Sequence, residues 1–289
     1  MENVIFSRKG FDSGYGGVPS PILPGGRLLS LPIPYRDRLH TYQSVAFDNR
    51  PLANIVTSLT KGNIPATATC HLDPDLRVDA VPRSPGWRPI FGQVGAAQKH
   101  LQNRGVSVGD LFLFFGWFRE TRLRAGKLVF VPKAPDLHVL FGWLQIGAMH
   151  HPRPEILKRF PWVSEHPHCI EQGWDTNNTI YLAAPQLQIP GVPKRALLGA
   201  GVFPCFHPEL QLTQAGRSRS IWQLPAWMHP QGRDSTLSYH HAGDIWRRAG
   251  DRVILKSRSR GQEFVLNVEH YPEAKSWLAT LFQSIFYAA

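Results

Sequence analysis

The sequence predicts an α+β fold that is mainly antiparallel β, with a jelly-roll or barrel-like core and peripheral helices. Three observations carry that prediction. Short apolar stretches rich in Phe, Val, Leu and Ile recur through the middle of the chain, each bounded by turn residues. These stretches do not alternate with regular helical patterns, which argues against a doubly wound parallel sheet. Finally, 25 glycines and 25 prolines in 289 residues require many turns between short elements. With 43% hydrophobic and 18% charged residues, the chain is neither a disordered tail nor a coiled coil. The reading is one domain over 1–289, its β-rich core at about 65–268, with a glycine-rich segment before it and a helix after it.

Taken in order, Val4–Ser7 reads as a short strand, followed by a glycine-rich stretch and a strand at Arg27–Ile33. Pro19, Pro21, Pro24, Pro32 and Pro34 exclude a helix there. Pro51–Leu59 reads as a short helix stopped by Gly62. Gly92–Asn103 reads as a second helix, with Val94, Ala97 and Leu101 on one face and Gly105 as its stop. Asp110–Arg119, Lys127–Val131, His138–Ile146 and Thr179–Ala183 read as strands. The first and third are apolar on both faces, so they belong in the middle of a sheet. Gly201–Phe206 and Ile221–Leu224 give weaker strand patterns. Arg252–Ser257 and Gln262–Val268 flank Arg258–Gly261 in the manner of a hairpin. Glu273–Phe286 is an amphipathic helix with Trp277, Leu281 and Phe282 toward the core.

The formal charge is +11. The segment 194–260 alone holds eleven Lys and Arg against four Asp and Glu, which points to a polyanionic partner, a nucleotide or nucleic acid. Cys70, Cys169 and Cys205 form no CxxC pair and read as reduced thiols. The opening MENVIFSRKGFDSGYGG has no apolar signal core. The longest apolar run, Leu111–Phe118, is broken by Gly116 and is too short to span a bilayer. The expectation is a soluble, cytoplasmic protein with no membrane association.

Several constellations bear on chemistry. Arg8 and Lys9 precede the stretch Gly10–Gly17, which lacks P-loop and GxGxxG spacing but lets backbone N–H groups approach an anion. Arg8, Lys9 and the following Asp12 are the substrate-contacting candidates. His71 and Asp73 form an H-x-D pair, and in an extended segment residues two apart point the same way. A non-heme Fe(II) facial triad needs two His and one carboxylate, with positions left open. The third ligand is either His138, 65 residues after Asp73 at the start of a buried strand, or His168 of His166-Pro167-His168. His240-His241 and His207-Pro208-Glu209 rank lower. No HExxH, GxSxG or Cys₂His₂ spacing occurs, so hydrolase and zinc-finger readings lack support. Arg258 and Arg260 sit on a turn from which an arginine fork can grip a dicarboxylate or a phosphate. Of Gln262 and Glu263, one must face inward and needs a partner.

The segments SRKGFDSGYGG, LTKG, CHLDPDLR, PGWRPIFGQ, GDLFLFFGWFR, HVLFGWLQIG, HPH, NNTIY, LSYH and RGQEFVL together resemble the nucleotide modification associated domain 3 family. The resemblance runs from residue 4 to about 280. It implies a nucleotide-type substrate and supplies no reaction. The reaction follows from the H-x-D pair inside CHLDPDLR: an Fe(II)/2-oxoglutarate-dependent oxygenase, with His71 and Asp73 on the metal and Arg258 or Arg260 on the 2-oxoglutarate carboxylate. Because Asp73 is present, hydroxylation or desaturation is expected over halogenation. Two alternatives stand beside it. GDLFLFFGWF and HVLFGWLQIG are similar to strands of PUA-like barrels, which hold a flipped base between aromatic rings without metal, here Trp117, Trp143 or Trp162. The other is a non-catalytic partner in a nucleic-acid modification system.

Overall fold

The apolar stretches become the middle of one sheet in the structure, a computed structural model that describes residues 1–36, 39–170, 177–193, 197–241 and 243–287. The strands are β1 (Asn3–Arg8), β2 (Ser20–Ile22), β3 (His40–Thr41), β4 (Ala46–Phe47), β5 (Arg50–Pro51), β6 (Thr69–Cys70), β7 (Ile90–Gln93) and β8 (Leu111–Arg124). They continue with β9 (Lys127–Phe130), β10 (Leu137–His150), β11 (Thr179–Ala183), β12 (Ala200–Val202), β13 (Ile221–Pro225), β14 (Trp246–Ala249), β15 (Arg252–Lys256) and β16 (Glu263–Asn267). The α-helices are α1 (Ala53–Leu59), α2 (Gly95–Asn103), α3 (Pro154–Arg159) and α4 (Glu273–Phe286).

Among the described residues nine strands form the main sheet, in the order β16-β1-β8-β10-β11-β7, with β2 and β9 also on β8 and β12 also on β10. The two strands predicted to be central lie there. Leu111–Phe115 of β8 is wholly buried, and Val139–Leu144 of β10 faces protein on both sides. Burying each such Leu or Phe contributes roughly 1.5–3 kcal/mol, so these strands anchor the core. β8, β10 and β11 pair antiparallel as expected, while β1 and β2 run parallel to β8. α4 closes one face through Ala274, Leu278, Leu281 and Phe282, with Trp277 packed against the same core.

The result is a mixed α/β fold with mostly antiparallel sheets and few helices. The main sheet is an open path from β16 to β7, so the described strands form no closed barrel, and their order does not establish the expected jelly roll. Three local expectations also change. Arg27–Ile33 forms no strand and makes only isolated bridges, Ile22 to Leu28 and Arg27 to Cys205. The segments 252–257 and 262–268 are not a hairpin. β15 joins β13 and β14 in a separate three-stranded sheet, whereas β16 pairs with β1. Alternation sets which face of a strand is buried but not which strand it pairs with. Gly92 and Gln93 end a strand rather than start a helix. α2 begins at Gly95, buries Gln98 and Leu101, and leaves Val94 exposed. Among the described residues no helix is long and apolar enough to cross a membrane.

Candidate metal centre

The segment carrying His71 and Asp73 is held along the far side of β7, opposite β11. β6 pairs with β3, and the His71 N–H donates to the Ile33 carbonyl at 2.9 Å. Asp75 exchanges both backbone hydrogen bonds with Ile90, at 2.9 and 3.0 Å. Its carboxylate is bound by Arg83 through two contacts of 2.6 Å, a buried fork-to-fork pair that fixes the segment from below. Between these anchors the Gly92 N–H donates to Asp73 Oδ1 at 2.8 Å.

The opposite wall comes from two short 3₁₀ turns, Pro161–Glu165 and Pro167–Cys169. Proline at the first position suits such turns, because its missing N–H would have no partner there. The His168 N–H donates to His166 Nδ1 at 3.3 Å. That acceptor role puts the His166 proton on Nε2, which donates to Asp73 Oδ1 at 3.2 Å. Asn178 Nδ2 donates to the His168 carbonyl at 2.8 Å, which orients the amide. Its Oδ1 then accepts from His168 Nδ1 at 2.9 Å. His168 Nε2 is therefore left with a lone pair. It lies 3.4 Å from His71 Nε2 and 3.9 Å from Asp73 Oδ2.

One ligand atom each from His71, Asp73 and His168 lies within 4.8 Å of the others. Their chemistry fits a divalent cation. Burial opposes ionisation of Asp73, but the hydrogen bond from His166 together with the charges of His168, His166 and Lys9 outweighs it and holds the carboxyl well below the usual carboxylate range. Burial pushes His168 down to about 4, so its imidazole is neutral at neutral pH. A carboxylate and a neutral imidazole are the protonation states a metal requires. With two donors on Oδ1, Asp73 presents Oδ2 to the site, and the partners behind the ligands fix their orientation. Gly92 makes room for this packing: a Cβ there would stand 2.3 Å from His168 Cγ.

These groups floor a cleft of about 1130 Å³, walled by Arg8, Lys9, Tyr15, Tyr35, Arg36 and Gln93 among others. Lys9 is set by close backbone contact. Its N–H donates to the Phe115 carbonyl at 2.8 Å, and a Cβ on Gly116 would meet the Lys9 carbonyl at 2.7 Å. Its ammonium lies 3.0 Å from Glu263 Oε1 and 4.4 Å from the Phe91 ring centre. Gln93 Nε2 donates to the same oxygen at 2.6 Å. Glu263 is thus the inward member of the Gln262–Glu263 pair, while Gln262 lines the cleft.

The other predicted residues fall elsewhere or do different work. His138 is buried in the core, where its Nδ1 accepts from Trp222 Nε1 at 2.9 Å and its ring meets Phe115. It is not in the His71–Asp73–His168 group, and of the two alternatives only His168 joins that pair. Arg8 lines the cleft, but its two terminal nitrogens hold the carbonyls of Arg258 and Ser259 at 2.8 and 2.9 Å. Asp12 also lines it, and its Oδ1 folds the glycine-rich loop by accepting from the Gly14 and Tyr15 N–H groups at 2.7 and 2.6 Å. Arg258 faces a neighbouring cleft, and Arg260 is exposed and lines neither. Trp143 and Trp162 are buried in packing clusters, and among the described residues Tyr15 and Tyr35, each half exposed, offer aromatic faces to the metal cleft. His207 accepts from the Glu209 N–H and caps a short turn. Of the basic segment 194–260, Lys194 and Arg195 lie outside the described residues, as does Ala242 after His241.

The model of the nucleotide modification associated domain 3 family matches residues 3–267, and so covers every residue of the centre just described. The chain belongs to that family. The family's description ties the chain to nucleotide modification, in agreement with the resemblance carried by its motifs. No curated protein and no solved structure matches the chain. Within the family segment, sequence reasoning overlooked Asn178 and Gly92. Asn178 precedes β11 in a polar stretch that reads as a turn, and Gly92 reads as a helix start.

Proposed function

We propose that the chain is a metal-dependent enzyme that modifies a nucleotide, free or within nucleic acid, and that it is an Fe(II)/2-oxoglutarate-dependent oxygenase. The observation that carries the reading is the convergence of two imidazole nitrogens and one carboxylate oxygen on the floor of a large cleft. That donor set is the facial triad of non-heme iron oxygenases. The reading rests on this donor set and not on a jelly roll.

Bound Fe(II) supplies open positions for oxygen chemistry, in which O₂ and 2-oxoglutarate become CO₂ and succinate while a substrate C–H becomes C–OH. The chain's own contributions are positional and electrostatic. His71, Asp73 and His168 hold the ion, and His166, Gly92 and Asn178 hold the ligands. Among the described residues the Lys and Arg facing this cleft are Arg8, Lys9 and Arg36, so they replace Arg258 and Arg260 as the groups that meet a carboxylate or phosphate there. Lys9 is already balanced by Glu263, which leaves Arg36, exposed at the mouth, as the side chain best placed to do so.

The test is anaerobic reconstitution with Fe(II), metal analysis, and succinate release with a panel of nucleotides and oligonucleotides. One iron per chain, with succinate formed in step with hydroxylated product and both lost in His71→Ala, is the expected result. No succinate from the iron-loaded protein with any member of the panel, beside base binding that iron leaves unchanged, refutes the oxygenase and assigns a metal-free base-binding module.

A further inference from the structure

A second cleft of about 1030 Å³ lies beside the metal cleft. The two share a wall, the loop from Arg8 through Gly10 and Asp12 to Tyr15, together with Ser259 on the facing turn. The second cleft is strongly cationic. Arg8, Lys9, Arg217, Arg219, Lys256 and Arg258 line it, against Asp12, Asp136 and Asp244. Two of those carboxylates are committed internally, Asp12 to its own loop and Asp136 to Trp117 Nε1 and Arg119 Nε at 2.8 and 2.9 Å. Arg217, Lys256 and Arg258 are exposed and form no ion pair among the described residues. The Arg219 guanidinium carbon lies over the Trp117 ring, 4.1 Å from its centre.

Two buried polar atoms of this cleft's lining, Arg8 Nε and Ser257 Oγ, have no hydrogen-bond partner among the described residues. A buried polar group left unmade costs free energy that a ligand can recover. Cations interleaved with flat rings, here Trp117 and Tyr15, are the pattern that follows a phosphodiester backbone while bases stack. A mononucleotide held in one cleft has no use for the other. Chemistry on a base at the buried metal floor also requires that base to leave its stack.

We propose that the second cleft is the backbone groove for a polynucleotide strand whose target unit enters the metal cleft across the shared loop. The inference rests on reading the metal cleft as the nucleotide site, and it makes the substrate a polymer rather than a free nucleotide.

The test is fluorescence anisotropy with labelled single-stranded 12-mers of DNA and of RNA, in EDTA, with a mononucleotide measured by calorimetry. Chelator keeps this measurement independent of the metal, and a separate Mn(II) titration reports on the metal centre alone. The expected result is that one of the 12-mers binds at least about 100-fold tighter than the mononucleotide. Its logarithmic salt slope should be about −2 to −3, the value for three or four neutralised phosphates on a single strand. Arg217→Gln/Lys256→Gln/Arg258→Gln should weaken the 12-mer at least tenfold and flatten the slope by about 2. All three side chains are exposed, so a matched thermal midpoint verifies folding. A separate Arg219→Gln variant tests the stacked cation and should also flatten the slope. Affinity independent of strand length, or an unchanged slope in the folded triple variant, overturns the proposal.

Discussion

Gly92→Ala is the sharpest perturbation of the metal centre, because it adds one methyl group and removes no hydrogen bond. The Gly92 backbone is not left-handed, so the penalty is purely steric. The new Cβ would lie 2.3 Å from His168 Cγ and 2.4 Å from Cδ2, about 1 Å inside ordinary contact, which starts at 3.4 Å. Either the strand or the ring must retreat. β7 is pinned on one side by β11 and on the other by Asp73 and Asp75, so the ring moves. A retreat of that size breaks the 2.9 Å bond to Asn178 and draws Nε2 away from His71 and Asp73. Overpacking of this kind costs about 1–3 kcal/mol of stability. Losing the fixed ligand geometry lowers metal affinity by about 10- to 100-fold. Competition of Mn(II) or Co(II) against a chromophoric chelator measures the second effect, and urea unfolding in EDTA measures the first. If Gly92→Ala binds metal within twofold of the parent at unchanged stability, His168 does not belong to the centre.

Other outcomes follow from the same geometry. Asn178→Ala frees the His168 ring and should weaken metal binding by about tenfold or more, with little change in the fold by circular dichroism. Lys9→Met strands the Glu263 carboxylate, which is fully buried, with Gln93 as its remaining donor. Breaking such a pair costs about 3–5 kcal/mol, and a loss below about 1 kcal/mol in urea unfolding would show that the pair carries no weight. Stability should rise with pH between about 4 and 6.5. Burial holds His138 down at about 3 and His240 at about 4, so in that window the unfolded chain binds protons that the folded chain refuses. Each group accepts a hydrogen bond on one ring nitrogen, from Trp222 Nε1 and from the Arg258 N–H, which fits the neutral form. A flat profile of unfolding free energy across that window, measured in EDTA, contradicts the assignment.

Much of the scaffold was legible because it is built from local patterns. The two-sided apolar strands at Leu111 and His138, the Thr179–Ala183 strand and the terminal helix appear where periodicity places them. What periodicity cannot encode is partnership. β15 and β16 are neighbours in sequence, yet β16 finds β1 across the whole chain because Val4, Ile5 and Phe6 offer it a matching buried row. The site shows the same division. The H-x-D spacing brought out His71 and Asp73, and the HPH motif brought out His168. His138 attracted attention for being buried at a strand start, but that burial is served by Trp222 and Phe115. Asn178 and Gly92 were silent because each matters through partners that only the fold brings to it, Asn178 through the His168 ring and Gly92 through that ring and the Asp73 carboxylate. The arginines at 258 and 260 were visible as charge, but that Arg258 faces the second cleft and Arg260 neither depends on a turn that Arg8 grips.

The segment that carries His71 and Asp73 has a second consequence. β7 is the last strand of the main sheet, and its outward N–H groups at Ile90 and Gly92 are taken up by Asp75 and Asp73. An open sheet edge of this kind is a template for strand addition from another molecule. The chemistry-bearing segment therefore also serves as the edge's seal. A lesion that unseats Asp73 uncovers the Gly92 N–H on the rim of a nine-stranded sheet at the same moment that it dismantles the centre. Failure of this site and self-association of the protein are then one event, and ligand-centre variants that precipitate report on the same residues as those that lose metal.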